Sequence, residues 1–248
     1  MHRFRFIILS VMMAGCVGAP WVPPGDFRME IIHTDEFDIL TYARISDHPT
    51  PIHIYLEGDG NSFDGYGIPT NDPTPRGTFL RDLSATDESP NVVYMARPCQ
   101  FIMSPACDKT DWTTGRFSHQ IIDATATAIR KIAKNRPVIL IGYSGGAMIS
   151  GLVIQHAPDI NVQKWITIAG VLNHADWTAH FGDAPLLGSE NLTALPPVPQ
   201  IHYIADHDRV VPNELSRKWV PEHNLVTIPN STHNRFENLK LDFQHIDK

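Results

Sequence analysis

Short apolar runs alternate along the chain with stretches whose apolar positions recur at helical spacing. The runs 28–34, 37–45, 52–57, 91–96, 138–142, 164–169, 200–205 and 225–228 read as strands, rich in β-branched and aromatic residues and bounded by Gly, Pro, Asn or Asp. The spacing predicts helices over 76–84, 117–135, 147–156, 213–220 and 236–243. The second is the most legible, because Ile121, Ile122, Ala126, Ile129, Ile132 and Ala133 fall near one face. The continuous apolar run 138–142 suits the centre of a parallel sheet covered on both sides. Residues 172–199 carry Gly182, Pro185, Gly188, Pro196 and Pro197 and read as an excursion over one sheet edge. Strands alternating with helices predict an α/β architecture, a mostly parallel central sheet with helices on both faces. Ligands of such sheets bind beyond the C-terminal strand ends. Chemistry is therefore expected just after Glu57, Gly142, Ala205 and Ile228.

After the run 138–141 comes Gly142-Tyr143-Ser144-Gly145-Gly146 and then a helix. Strand, sharp turn and helix are the context in which G-x-S-x-G exposes a nucleophilic serine. The alternative for Ser144 is a capping residue at a tight strand–helix turn. A serine hydroxyl needs a base, and the base an orienting carboxylate. The stretch Asp206-His207-Asp208-Arg209-Val210-Val211-Pro212 resembles the acid loop of the α/β-hydrolases, with Ala205 where a Gly is usual. Aligning on Val210-Val211-Pro212 puts Asp208 in the acid position. It leaves Asp206 as a turn residue that hydrogen-bonds its own loop backbone. His233, in the loop after the last strand, stands where α/β-hydrolases carry their base. Their oxyanion loop, often His-Gly-x, is similar to Glu57-Gly58-Asp59, which implies the amides of Asp59 and Gly145 as oxyanion donors. Glu57 in place of His is a departure. A carboxylate at Asp59 must turn away or pair with a cation, for which Arg97 and Arg116 are candidates unless they are surface residues.

The resemblance spans 27–248. It implies the α/β-hydrolase fold with a short covering segment between the sixth and seventh strands. It also implies hydrolysis of small acyl esters through Ser144, His233 and Asp208. An acyltransferase or serine peptidase would use the same three residues, and a non-catalytic envelope binding protein is the alternative of another class. The strings LEGDG, ARPCQ and WTTGRFS also resemble an uncharacterised group of bacterial exported α/β-hydrolases. Trp177, Phe181, Leu186, Leu187 and Leu192 of the covering segment either line an acyl pocket or seal the sheet.

Composition narrows the partners. With 248 residues, 42% of them hydrophobic, a sizeable core is available. A net charge of −7 lacks the basic field that nucleic-acid binding depends on. Arg3 and Arg5 precede the apolar residues 6–13 and Ala14-Gly15-Cys16, the plan of a secretory signal. Met13-Ala14-Gly15-Cys16 resembles the bacterial lipobox, with Met for the usual Leu. That implies cleavage before Cys16 and its lipidation. With Val17 next, it implies a membrane anchor at the periplasmic face of the outer membrane. The expected organisation is a signal peptide over 1–15, a Pro/Gly-rich tether over 16–26 and one hydrolase domain over 27–248. In an oxidising compartment Cys99 and Cys107 are expected to form a disulfide, two separate thiols being the alternative. No cofactor or metal is expected, because His174, His180, His202 and His207 lack ligand spacing. A site at Asp206, His207 and Asp208 is the weaker alternative.

Overall fold

A computed structural model of the chain describes residues 21–244. The signal peptide expected over 1–15 and the anchor Cys16 lie outside the described residues. Among those described, no helix is long and apolar enough to cross a membrane. Residues 21–26 form neither helix nor strand. Even so, Trp21 packs on the domain, its ring 4.8 Å from that of Tyr42 and its Nε1 donating to Asp82 Oδ1 at 2.8 Å.

Eight strands form one sheet: β1 (Arg28–His33), β2 (Asp38–Arg44), β3 (Ile52–Leu56), β4 (Val92–Met95), β5 (Val138–Tyr143), β6 (Val162–Ile168), β7 (Gln200–Ala205) and β8 (Leu225–Ile228). Their order is β1-β2-β4-β3-β5-β6-β7-β8, antiparallel at β1–β2 and β2–β4 and parallel throughout the rest. The helices are α1 (Phe79–Ala85), α2 (His119–Ala133), α3 (Gly145–His156), α4 (His174–Phe181) and α5 (Asn213–Trp219). Period-two alternation divides each central strand between two cores. Val138 and Leu140 of β5 join Ile52, Ile54 and Leu56 under α2 and α3. Ile139 and Ile141 join Tyr55, Tyr94 and Leu80 on the opposite face.

Most elements fall within a few residues of their predicted bounds, and two expectations need correction. Residues 236–243 are not helical. Asn238 takes φ +57°, which ends any α-helical run. Leu239, Leu241 and Phe243 follow strand-like alternation, and all three pack against the α1-side core. The Phe243 ring stacks 4.2 Å from His53, and the Asp242 amide donates to the Tyr203 hydroxyl at 2.8 Å. The segment thus serves as an extended strap on the face that α1 alone covers incompletely. Nor does 172–199 run over a sheet edge. The strands it joins, β6 and β7, are interior neighbours. A parallel crossover must return to the start of the next strand: the last part of the segment runs beside α3, where Ala194 O accepts from Gln155 Nε2, and the earlier part lies above the C-terminal strand ends. There Glu190 N donates to Phe117 O at 2.9 Å and Ser189 Oγ to Thr114 O at 2.8 Å.

Candidate active site

Ser144 sits between β5 and α3 with φ +52° and ψ −120°, backbone that a side-chain-bearing residue rarely adopts. The turn is pinned from both sides: Ser144 N donates to Ile168 O at 3.0 Å, and Ser144 O accepts from Ala147 N and Val171 N. The flanking glycines are steric requirements. A Cβ on Gly142 would lie 2.5 Å from Ala147 Cα, and one on Gly146 2.4 Å from Leu56 O. The hydroxyl is thereby fixed at the N-terminus of α3, above the C-terminal end of β5.

The structure brings Ser144, His233 and Asp208 into one hydrogen-bonded line. His233 Nε2 lies 3.0 Å from Ser144 Oγ, and His233 Nδ1 lies 2.9 Å from Asp208 Oδ2. All three residues are buried. The second Asp208 oxygen accepts from the amides of Val210 and Val211, both at 2.8 Å. Asp206 faces elsewhere. Its carboxylate accepts from Asn230 N and Ser231 N at 2.9 Å each, so it orders the loop that carries His233. Tyr143, which sequence reasoning left as an unread position of the motif, grips the same loop. Its hydroxyl is 2.5 Å from Asn234 Oδ1 and 3.1 Å from His233 O. Burial raises the Tyr143 phenol far above its usual range, assisted by the negative charges of Glu57 and Asp208.

The loop after β3 lies directly against the serine, and a Cβ on Gly58 would be 3.0 Å from Ser144 Cβ. Asp59 sits beside Gly145, where an added Cβ would come within 2.0 Å of Asp59 Oδ1. The awkward carboxylate is neutralised twice. Arg97 Nη1 donates to Asp59 Oδ1, and Arg116 Nη1 to Asp59 Oδ2 at 2.7 Å. Both arginines are buried, not surface residues. Burial alone would raise the Asp59 carboxyl, but Arg116 and Arg97 outweigh it and hold it below its ordinary value. Two cations thus pair with the one Asp59 carboxylate. Glu57, the departure from His, points into the protein, accepting from Gly58 N and the Tyr94 hydroxyl at 2.9 Å each. Its burial raises the carboxyl despite those bonds and the nearby Arg81 and Arg97 charges.

Cys99 and Cys107 are joined by a disulfide. It closes the loop that carries Gln100, whose Nε2 donates to Gly58 O at 2.9 Å and whose Oε1 accepts from Arg97 N. The crosslink thus braces the loop that orients Gly58 and Asp59.

Ser144 and His233 open onto a cleft of about 1040 Å³. Its apolar wall includes Phe63, Phe79, Trp177, Leu186, Val210 and Phe236. Of the covering residues singled out from the sequence, Trp177 and Leu186 line the cleft, Leu192 enters the core, and Phe181 and Leu187 are exposed. Among the described residues, Asp206, His207 and Asp208 form no metal-ligating cluster; a different group, His119, His156 and Glu190, does come together.

No protein-family model and no curated protein matches the chain. Solved structures do. An α/β serine hydrolase without a lid from Xanthomonas campestris is 14% identical, with a TM-score of 0.53 over 86% of this chain and 88% of that one. An α/β serine hydrolase homologue from Coxiella burnetii is 18% identical, with a TM-score of 0.54 over 84% and 89%. A membrane phospholipase A, described as a bacterial virulence factor, is 15% identical, with a TM-score of 0.54 over 84% and 80%. The mostly parallel eight-stranded sheet with helices is in keeping with these likenesses: the chain has the α/β-hydrolase fold.

Proposed function

We propose that the protein is a serine hydrolase of carboxylic esters, exported and held at the bacterial envelope through lipidated Cys16. The observation that carries the reading is the line Asp208–His233–Ser144 at the floor of an open, apolar-walled cleft. Support for the fold comes from the likeness to α/β serine hydrolases, one of them described as lacking a lid. In this reading Ser144 Oγ attacks the acyl carbonyl while His233 Nε2 takes its proton. Asp208 holds the Nδ1–H tautomer and stabilises the imidazolium. The amides of Asp59 and Gly145 receive the oxyanion. His233 then returns the proton to the leaving alcohol, and water releases the acyl group by the same steps.

The apolar wall favours an acyl chain. An acyltransferase would use the same residues, with an added alcohol in place of water. The test is a series of chromogenic esters of increasing acyl length alongside an aminopeptide panel, with Ser144→Ala as control. Ester hydrolysis lost in Ser144→Ala is expected. Cleavage of the aminopeptide substrates alone would contradict the ester assignment.

A further inference from the structure

A second constellation lies outside the cleft, on the α2–α3 side of the sheet, and neither the fold nor the proposed hydrolysis uses it. His119 opens α2, His156 closes α3, and Glu190 belongs to the covering segment. Three elements far apart in sequence thus deliver two imidazoles and a carboxylate to one point. Their ligand atoms all lie within 4.8 Å of one another. His119 Nδ1 is 3.3 Å from Glu190 Oε1, and His156 Nε2 is 3.0 Å from Glu190 Oε2. Two ligands bound tetrahedrally at about 2.1 Å to one zinc ion sit roughly 3.4 Å apart, so these pairs already stand near ligand spacing.

The other nitrogen of His119 is also accounted for. Its Nε2 lies 3.1 Å from Asp123 Oδ2, one turn along α2. A carboxylate accepting from the far N–H of an imidazole is the arrangement that fixes a metal-binding histidine in the right tautomer and raises its basicity. The histidine rings pack edge to face, 5.7 Å between centroids. None of these four residues lines the cleft.

We propose that His119, His156 and Glu190 form a binding site for a divalent transition metal of the imidazole-preferring class, typified by Zn²⁺, with Asp123 as the positioning carboxylate. Two nitrogens and one carboxylate oxygen leave a fourth position for water, and hard cations such as Mg²⁺ are disfavoured by the imidazoles. The bound ion would tie the covering segment to α2 and α3. Glu190 N donates to Phe117 O, and Leu186, four residues earlier, lines the cleft, so the site clamps one cleft wall from outside. The proposal is independent of the hydrolase reading.

The test uses the full chain without a histidine tag, since 13 histidines already compete for metal. Zn²⁺ is titrated calorimetrically, and Co²⁺ is added to read the visible d–d bands of a low-symmetry N/O site. One Zn²⁺ per chain, a raised Tm and intense Co²⁺ bands are expected. His119→Ala and His156→Ala should abolish all three, with circular dichroism reporting that both variants fold. Asp123→Asn should keep the stoichiometry and weaken binding about tenfold. His223→Ala, at an exposed histidine elsewhere, should change nothing. Wild-type protein that binds no Zn²⁺, or His119→Ala and His156→Ala chains that bind it as the wild type does, would overturn the proposal.

Discussion

Ser144 holds a backbone conformation that costs energy, and its surroundings show what maintains it. The bond from Ser144 N to Ile168 O, those from Ala147 N and Val171 N to Ser144 O, and two glycines without room for a Cβ leave the turn no alternative. The two aspartates of the 206–212 loop divide the work by geometry. Asp208 meets the imidazole, while Asp206 meets the backbone of the loop that bears it. Asp208→Asn should therefore lower kcat by about 10⁴-fold, the cost of the wrong histidine tautomer. Asp206→Asn, which keeps one acceptor oxygen, should cost less than tenfold. Steady-state kinetics of both variants decide this, and equal losses or the reverse order would refute the assignment. Gly145 gives a sharper test of the neutralised carboxylate. An alanine methyl there would collide with Asp59 Oδ1 and break its pairing with Arg97. Gly145→Ala should reduce kcat by roughly 10²-fold, on the scale of one lost oxyanion contact, with little change in KM.

Loops, more than helices or strands, set the geometry around the serine, and the disulfide shows how. Cys99–Cys107 braces the segment through which Gln100 and Arg97 hold the loop after β3. The double variant Cys99→Ala/Cys107→Ala should lose about 2–3 kcal/mol by denaturant unfolding. It should also lose kcat, which a crosslink remote from the site would leave unchanged. The strands were legible in the sequence as short β-branched and aromatic runs bounded by turn residues, and α2 because its helical spacing coincides with burial on one face. Residues 236–243 were not, because Phe236, Leu239 and Phe243 fit helical spacing as well as Leu239, Leu241 and Phe243 fit a strand. The contacts that decide, with His53 and Tyr203, come from distant strands. The motif residues Ser144, Asp208 and His233 could be named because each follows a strand end. The holding residues could not: Tyr143 and the Asp206 bonds depend on where the 229–234 loop lands. His119, His156 and Glu190 escape any spacing rule, since three separate elements supply them.

At the scale of the whole molecule, burial of neutral groups makes the domain sensitive to acid. His202 is buried on β7, near Thr167 Oγ1 at 2.8 Å and Gln200 Oε1 at 2.9 Å, and burial pushes its imidazole down to about 3. An unfolded chain binds the proton near pH 6.5, and the folded one does not until far lower. The stability from this group is therefore whole above about pH 6.5 and is lost as pH falls toward about 3. Between pH 7 and 5 the wild type should lose about 2 kcal/mol that His202→Gln does not lose. Denaturant unfolding at both pH values measures the difference, and parallel losses would show that His202 does not titrate on unfolding. The proposed hydrolysis requires one hydroxyl to be a nucleophile in the folded chain. Incubation of the purified protein with a fluorophosphonate, followed by intact-mass and peptide analysis, reads this directly. One adduct per chain is expected, on Ser144, absent from Ser144→Ala and suppressed in His233→Ala. A folded wild-type protein that stays unlabelled, or labelling that persists in Ser144→Ala, would contradict it.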